Sequence, residues 1–230
     1  MIVKSCASGL ASLAIVVSLA GCDFGVFDNY DEPNATLTGR VVYQGTAIGV
    51  RSNGVQLELR QPGYELDEEI LVFVGQDGTF SARLFDGDYL LTLTPGEGPW
   101  VDSNDTIQVQ VRGQAQVDVP VVPYYTISNS AIGHSAGSIE ASFDVESVNT
   151  TREVEYVGLY VSTTTFVDRN NMAVRTEMPR SAIPSLDAPI ELSVPLSAAL
   201  TQRSDVYARI GVKTSGVAEL LFSPVQKITF

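Results

Sequence analysis

Apolar and polar residues alternate with a period of two along much of the chain. In residues 55–60 the apolar positions are Val55, Leu57 and Leu59, and the residues between them are polar, which is the pattern of a half-buried strand. Similar short runs predict strands at 36–43, 70–74, 79–84, 89–94, 106–111 and 115–119. Asp77-Gly78 and Asp86-Gly87 between them are turn signals, because glycine accepts a positive φ without steric cost. The first half is therefore predicted to be an all-β sandwich.

The second half also predicts strands, at 138–146, 153–163, 190–194, 205–214 and 219–230. Residues 164–189 are predicted to form a long polar connection, and Ala198–Arg203 one helical turn. Five or more strands over about 100 residues indicate an immunoglobulin- or fibronectin-like sandwich. Pro120–Asn129 has two prolines in four residues, which favours an extended connection between the domains. Tyr124 and Tyr125 are then expected on opposite sides, one packed at the junction and one facing water.

The N-terminus has the layout of a secretory signal, with basic Lys4, an apolar run at 10–19 and small residues before Cys22. Leu19-Ala20-Gly21-Cys22 resembles a bacterial lipobox, which implies cleavage before Cys22 and a lipid on its thiol. An uncleaved membrane anchor is the alternative, but the run is shorter than the roughly 20 apolar residues of a span. We predict a signal peptide at 1–21 and a lipidated acidic tether at 22–34.

Composition narrows the chemistry that the chain can perform. Removal of residues 1–21 leaves 13 basic and 27 acidic residues, a net charge of −14, which argues against nucleic acid as a partner. Cys6 leaves with the signal and Cys22 carries the lipid, so neither is free for a disulfide, a metal or catalysis. His134 is the only histidine, and metal sites and catalytic triads rely on imidazole. We expect no catalytic residue, no metal and no cofactor.

Several short motifs occur in an order that resembles a known domain. The motifs Gly39-Arg40-Val41-Val42, Asp77-Gly78-Thr79-Phe80 and Leu84-Phe85-Asp86-Gly87-Asp88-Tyr89 resemble a transthyretin-like, carboxypeptidase-regulatory-type domain. Together with residues 28–33, Gly63-Tyr64 and Val122-Pro123-Tyr124, they are similar to a two-domain family of Bacteroidota surface lipoproteins. That family is known only as a domain of unknown function and is associated with Sus-type nutrient-uptake systems.

The resemblance implies both architecture and location. The architecture is a transthyretin-like sandwich at 35–122 followed by an immunoglobulin-like sandwich at 123–230. The location is the outer membrane, with the protein beside an outer-membrane transporter complex. The scattered acids of the tether either form a solvated spacer or resemble the signal that exports lipoproteins to the cell exterior. The family has no agreed catalytic residues to carry over.

Two motifs that suggest catalysis or metal binding have simpler interpretations. Gly133-His134-Ser135-Ala136-Gly137 matches the nucleophile elbow, but that motif needs a strand-to-helix turn and a later histidine. A strand-like pattern follows it and no histidine does, so we predict a Gly/Ser-rich loop. Asp86-Gly87-Asp88 and the Asp102–Asp105 stretch could supply calcium ligands. Neither has EF-hand spacing, and turns also favour aspartate and glycine.

The candidate ligand-binding residues are aromatic. Trp100, the only tryptophan, follows Gly96-Glu97-Gly98-Pro99, and exposed aromatic rings stack on sugars. The alternative is that Trp100 covers the end of the sandwich core. Tyr64, in the Pro62-Gly63-Tyr64 turn, has the same two interpretations. Asp105-Thr106-Ile107 fits the three-residue pattern of Bacteroidota O-glycosylation and makes Thr106 a candidate for that modification.

These observations favour a non-enzymatic surface lipoprotein that captures a nutrient, most simply a glycan, for an outer-membrane transport complex. A second hypothesis is a structural or assembly subunit that binds only protein partners. A third is a hydrolase that uses carboxylates. An exposed aromatic platform would favour the first hypothesis and a flat apolar patch the second. Two carboxylates facing each other across a cleft would favour the third.

Overall fold

The computed structural model of the protein describes residues 31–63 and 68–230, which from Pro33 onwards belong to one compact unit. Strands make up 55% and helices 4% of the described residues, so the all-β prediction is confirmed. None of the helices within these ranges is long and apolar enough to cross a membrane. The predicted signal peptide, Cys22 and Tyr64 lie outside the described residues, as does the predicted tether before residue 31.

The first sandwich consists of two four-stranded sheets. One sheet contains β1 (Ala35–Tyr43), β2 (Thr46–Ala47), β5 (Thr79–Leu84) and β8 (Gln114–Pro120). In it β1 pairs antiparallel with β2 and β5 and parallel with β8. The other sheet contains β3 (Gln56–Arg60), β4 (Ile70–Phe73), β6 (Gly87–Leu93) and β7 (Ile107–Val111). It is antiparallel throughout, with the order β4-β3-β6-β7.

The alternating pattern of β3 places its apolar side chains in the core between these sheets. Leu57 and Leu59 are completely buried there, whereas Gln56 and Glu58 are only half-buried on the other face. Burying a leucine side chain stabilises a fold by about 1.5–3 kcal/mol. The strands therefore form where apolar and polar residues alternate, because this alternation allows one face of each sheet to be buried in the core.

The second sandwich packs a three-stranded sheet against a five-stranded sheet. The three-stranded sheet contains β9 (Tyr125–Ser135), β10 (Ser138–Ser147) and β13 (Ile190–Pro195). The five-stranded sheet contains β11 (Val154–Ser162), β12 (Val174–Pro179), β14 (Asp205–Thr214), β15 (Leu220–Phe222) and β16 (Gln226–Thr229). A 3₁₀ helix covers Arg180–Ala182, and α1 (Ala198–Thr201) forms the predicted helical turn.

Two strands of the second sandwich differ from the prediction. β9 runs through residues for which the sequence predicts a connection and a Gly/Ser-rich loop, and β12 lies within the predicted polar connection 164–189. Both are edge strands of their sheets. Most of their side chains are exposed or half-buried, so these strands lack the apolar alternation by which the others are recognised.

The junction between the sandwiches also corrects one expectation. Tyr124 and Tyr125 are both buried, so neither faces water. The Tyr125 hydroxyl donates to the backbone oxygen of Arg152 at 2.8 Å, and the Arg152 guanidinium lies 5.7 Å from the centre of the Tyr124 ring. Both side chains belong to the buried core of the second sandwich.

Arg209 on β14 bonds the two sandwiches together from inside the protein. It is fully buried. Its guanidinium donates to the backbone oxygens of Val50 (3.2 Å) and Gln76 (3.0 Å) in the first sandwich. It also donates to those of Ser223 (2.9 Å) and Val167 (3.2 Å) in the second. A planar guanidinium is suited to this role, since its donors point in fixed and divergent directions.

The charge of Arg209 is costly to bury. Desolvation lowers the pKa of the guanidinium to about 9, while the charges of Asp168 and Asp77 oppose that shift. Its carbon lies 4.4 Å from the centre of the Phe222 ring, a cation–π contact that helps to stabilise the charge. A cation with this many carbonyl acceptors favours one arrangement of the surrounding backbone over others.

Further bonds cross the same junction. The Phe222 N–H donates to the backbone oxygen of Gly49 at 2.9 Å. Arg51 of the first sandwich forms a half-buried ion pair with Glu219 of the second, with Nη2 and Oε1 2.5 Å apart. Leu221 packs into the core of the first sandwich although β15 belongs to the second. The two sandwiches are thus joined as one body.

Candidate functional site

Trp100 lies in the core, so the prediction that its ring stacks on a ligand is wrong. The side chain is 3% exposed and packs in the first sandwich. The ring lies over Gly98, where a Cβ atom would come within 1.9 Å of it. Backbone pairing of Trp100 with Pro123 fixes the loop against the junction. Glycine at position 98 therefore leaves the space that the indole fills. Trp100 covers the sandwich core, as the alternative interpretation of this loop predicts.

The other predicted residues remain untested. Cys22 and Tyr64 lie outside the described residues. Thr106 is exposed, directly before β7, so its hydroxyl is accessible, and its glycosylation stays a prediction.

The Gly133–Gly137 stretch is the hairpin between β9 and β10. Its turn residues Ala136 and Gly137 have φ values of 47° and 81°, and β10 follows the turn directly. A nucleophile elbow requires a helix at that point. The ring of His134 packs edge-on against Phe230, with centroids 4.7 Å apart. The motif has the sequence of a hydrolase elbow and the structure of a two-residue turn.

The aspartates considered for calcium have roles in turns. Asp86 accepts a hydrogen bond from the N–H of Gly113, and Asp102 accepts one from the N–H of Gly96, both at 2.7 Å. Asp88 forms an exposed ion pair with Arg112. No group of three or more potential metal ligands occurs among residues 31–63 and 68–230.

A groove of about 520 Å³ lies between the two sandwiches. One wall is the β1–β2 turn, the other is formed by β9 and β10, and the floor includes Gly49 and Phe222. We call this the interdomain groove. Its polar and aromatic lining consists of Tyr43, Gln44, Thr46, Thr126, Ser128, Glu146, Ser147, Phe222 and Ser223.

A tight turn places the aromatic wall of the groove. Tyr43 pairs with Thr46 across the two residues Gln44 and Gly45, whose φ values are 49° and 79°. Two consecutive positive φ values define a type I′ hairpin turn, which matches the twist of the strands that it joins. The Gln44 amide donates to the Tyr43 hydroxyl at 3.0 Å. The half-buried Tyr43 ring therefore has a fixed orientation, with one part in the core and the rest facing the groove.

A β-bulge shapes the opposite wall. The register between β9 and β10 shifts at Asn129, whose φ is 47° and whose amide donates to Asp144 at 2.6 Å. Next to the bulge, the Ser128 hydroxyl donates to Glu146 at 2.8 Å. The bulge re-aims this part of the strand and turns a hydroxyl and a carboxylate toward the groove.

The lining of the interdomain groove matches the chemistry of sugars. An aromatic ring can cover the C–H face of a pyranose, and amide, hydroxyl and carboxylate groups can bind its hydroxyls. Among the described residues that line the groove, Glu146 is the charged one. The groove thus offers hydrogen-bonding groups and a negative charge, without a cation for an acidic ligand.

A second hollow of about 530 Å³ lies on the outer face of the β9-β10-β13 sheet. It contains two carboxylates, Glu140 and Glu191, which are diagonal neighbours because Glu140 pairs with Ser193 and Ser142 pairs with Glu191. They project side by side from one sheet face. Glycosidase carboxylates instead flank the bond that they cleave, so this pair does not have the arrangement that the hydrolase hypothesis requires.

The residues of the interdomain groove could be found only in part from the sequence. Gln44-Gly45 after a strand that ends in Tyr43 is a recognisable turn signal. Ser128 and Glu146 come from a segment about 85–100 residues away, and only the packing of two domains brings them to Tyr43. A pairing of this kind leaves no local pattern.

Both domains of the chain match known protein families. "Protein of unknown function (DUF3823) N-terminal domain" matches residues 35–122, and "Domain of unknown function (DUF3823_C)" matches residues 125–227. The chain belongs to the DUF3823 family. The two-domain family of unknown function indicated by the short sequence motifs is thereby confirmed. None of the curated proteins matches the chain.

Solved DUF3823 structures share the architecture. A family member from Parabacteroides merdae is 37% identical, with a TM-score of 0.80, over 86% of this chain and 100% of that one. A member from Bacteroides ovatus is 35% identical, with a TM-score of 0.79, over 85% of this chain and 98% of that one. Both sandwiches and their connection therefore recur together in these DUF3823 proteins.

One more distant structure has a functional description of its own. A protein from Bacteroides uniformis, described as a "putative carbohydrate binding protein", is 18% identical, with a TM-score of 0.68, over 86% of this chain and 100% of that one. At this identity the similarity shows that the fold is shared.

Proposed function

We propose that the protein captures a neutral glycan in the interdomain groove and catalyses no reaction on it. The observation that carries this proposal is the half-buried Tyr43 ring, held in place by its own turn and facing hydrogen-bonding groups of the other sandwich. Small-ligand sites commonly lie at domain interfaces and combine an apolar surface with a few placed polar groups. The interdomain groove has both features.

Charge selects a neutral ligand over an acidic one. Glu146 is exposed at the groove, and the whole chain carries a net charge of −13. A sulfate or uronate would be repelled both locally and at long range. Ring stacking depends little on salt, so binding of a neutral sugar should be nearly unchanged by ionic strength.

The cellular setting rests on the sequence. The lipobox resemblance makes Cys22 the anchor in the outer membrane, and the acidic residues after it support exposure on the cell exterior. The glycan would pass to an outer-membrane transporter complex, in agreement with the resemblance to Sus-associated lipoproteins. The fold shared with the structure described as a putative carbohydrate binding protein supports the glycan-binding part of the proposal. A single open site should bind in the micromolar to millimolar range, about −8 to −4 kcal/mol, and many anchored copies would add avidity.

Isothermal titration against a panel of neutral oligosaccharides tests this function. Tyr43→Ala should weaken binding at least tenfold, about 1.4 kcal/mol, because the stacking surface is removed. Phe166→Ala, which removes an aromatic ring that is exposed elsewhere, should bind as the wild type does. If the wild type binds no member of the panel, the glycan proposal fails.

A structural or assembly subunit remains the second candidate function. The observation that favours it is an exposed apolar strand, β4, at the edge of the first sandwich. That strand lies in a different sheet from the Tyr43 turn, so a protein partner and a glycan are compatible with one another.

A further inference from the structure

β4 has the sequence of an interior strand but occupies the edge of its sheet. The run Ile70-Leu71-Val72-Phe73 is apolar on both faces, as is typical of strands that are covered on both sides. Among the described strands β4 pairs only with β3. Natural edge strands are usually protected by a charge, a proline or a bulge. The β4 run contains no charged residue and no proline.

Because β4 lies at the sheet edge, most of its apolar side chains are exposed to solvent. On the outer face Leu71 and Phe73 are 51% and 48% exposed, while on the inner face Val72 is 3% exposed. Ile70 shares the inner face with Val72 and is still 38% exposed. The core of the sandwich therefore opens to solvent at this edge, and another strand beside β4 would cover both Ile70 and Leu71.

The hydrogen-bond pattern shows which backbone groups are directed outward. The Val74 N–H donates to the backbone oxygen of Val55 on the β3 side. Antiparallel pairing alternates along the strand, so Val72 also bonds toward β3, whereas the N–H and C=O groups of Leu71 and Phe73 point to the free edge. Leu71 and Phe73 thus present free backbone groups and apolar side chains at the sheet edge, the features that bind an added strand.

We propose that β4 is the docking site for an extended segment of a partner protein that has alternating apolar side chains and a basic residue. Charge determines this choice. Exposed Glu68 and Glu69 directly precede the strand. Glu69 is paired with Arg60, and Glu58, across β4 on β3, accepts a hydrogen bond from Thr94. A basic side chain on the added strand near Ile70 would therefore lie next to Glu68. A second copy of this chain is disfavoured, because each copy has a net charge of −13. This proposal is independent of the glycan function.

Amide hydrogen exchange, followed by NMR, tests the site with synthetic peptides. The probe is an eight-residue peptide of alternating valine and threonine with lysine at both ends, and its control has glutamate in place of lysine. The lysine peptide should slow exchange of the Leu71 and Phe73 amides at least tenfold and leave Val72, already bonded to β3, nearly unchanged. The glutamate peptide should bind at least tenfold more weakly.

Two variants make the outcome decisive. Leu71→Pro removes an outward N–H without touching a bond to β3, and the double variant Leu71→Ser/Phe73→Ser removes the apolar face while keeping the backbone. Both should abolish peptide binding, whereas Phe166→Ser should not. Unchanged exchange at Leu71 and Phe73 with saturating lysine peptide overturns the proposal. So does self-association of the wild type that Leu71→Pro abolishes, since the occupant would then be a second copy.

Discussion

The Nη2 of Arg209, in the second sandwich, lies 3.0 Å from the backbone oxygen of Gln76, in the first. Because Arg209 is buried and also bonded to Val50, this contact fixes the angle between the sandwiches from within. Phe222, which stacks on the same guanidinium, forms part of the floor of the interdomain groove. The width of the groove is therefore set by the fold before any ligand arrives.

Arg209→Met should lower the free energy of unfolding by at least about 1–3 kcal/mol, the cost of leaving a buried polar group unsatisfied. The methionine would leave buried carbonyl oxygens without donors. Arg209→Lys should lose less, since it keeps the charge but not the planar set of donors. Urea denaturation measures both, with Arg40→Met, in an exposed ion pair with Asp118, as a control of small effect. An Arg209→Met protein as stable as the wild type would show that the junction does not depend on this residue.

Trp100→Ala should destabilise the protein by about 3–5 kcal/mol, as expected when a buried tryptophan is truncated. The cavity would lie in the first sandwich, where the ring rests on Gly98. Thermal unfolding measures the loss, and Phe166→Ala, at an exposed aromatic ring, should remain within about 0.5 kcal/mol of the wild type. Below its melting point, Trp100→Ala should retain any glycan binding, which would be lost if the indole were the stacking ring.

Tyr160 should make the protein sensitive to alkali. Its hydroxyl is buried and donates to Glu177 at 2.9 Å. Burial raises the pKa of Tyr160 above its ordinary value of 10.0, and the negative charges of ionised Tyr156 and of Glu177 add to the effect. Since the folded state holds this proton more tightly than the unfolded state, the stabilisation is complete below pH 10 and is lost as the pH rises further.

Tyr160→Phe should therefore flatten the decline of the free energy of unfolding above pH 10. At neutral pH the variant should be less stable by about 1.5–3 kcal/mol, because a hydrogen bond to a charged acceptor is lost. Urea midpoints at about pH 8 and about pH 11, pH values on either side of the ordinary tyrosine pKa, give the comparison. Equal slopes in wild type and variant would mean that Tyr160 does not cause the alkaline loss.

Cys22→Ala tests the predicted anchor. Without the thiol, the chain should either be released as a soluble protein or remain as an uncleaved precursor, because no lipid can be attached. Cell fractionation combined with the mass of the N-terminal peptide separates these outcomes. A processed Cys22→Ala protein that stayed in the membrane would contradict the lipoprotein prediction.

Apolar alternation, as in β3, or a short apolar run, as in β4, predicts most of the strands, and strands with neither pattern are missed. β3 alternates apolar and polar residues and was recognisable, whereas β9 and β12 lie at sheet edges and expose most of their side chains. The sequence predicts a single strand at 219–230. It forms β15 and β16 on either side of Pro224, which has no N–H to donate to a sheet.

The candidate site was harder to predict because packing decides it. Trp100 sits in a glycine- and proline-rich loop, as many binding residues do, but Gly98 gives its ring room to turn inward. Tyr43 has no distinguishing neighbours except its turn. Its position opposite Ser128 depends on how the two domains pack against each other. Arg209 bonds the two domains together, but no sequence pattern distinguishes it from other charged residues in strands.

Chemical-shift mapping of a bound glycan tests the central claim most directly. In a heteronuclear NMR titration with the neutral oligosaccharide that binds best, the largest amide shifts should cluster at Tyr43, Gln44, Ser128 and Glu146, on both walls of the interdomain groove, and Tyr43→Ala should remove them. Shifts centred on another surface, such as the β9-β10-β13 hollow with Glu140, would contradict the assignment of the groove. Shifts confined to one wall would contradict the claim that the two sandwiches together form the site.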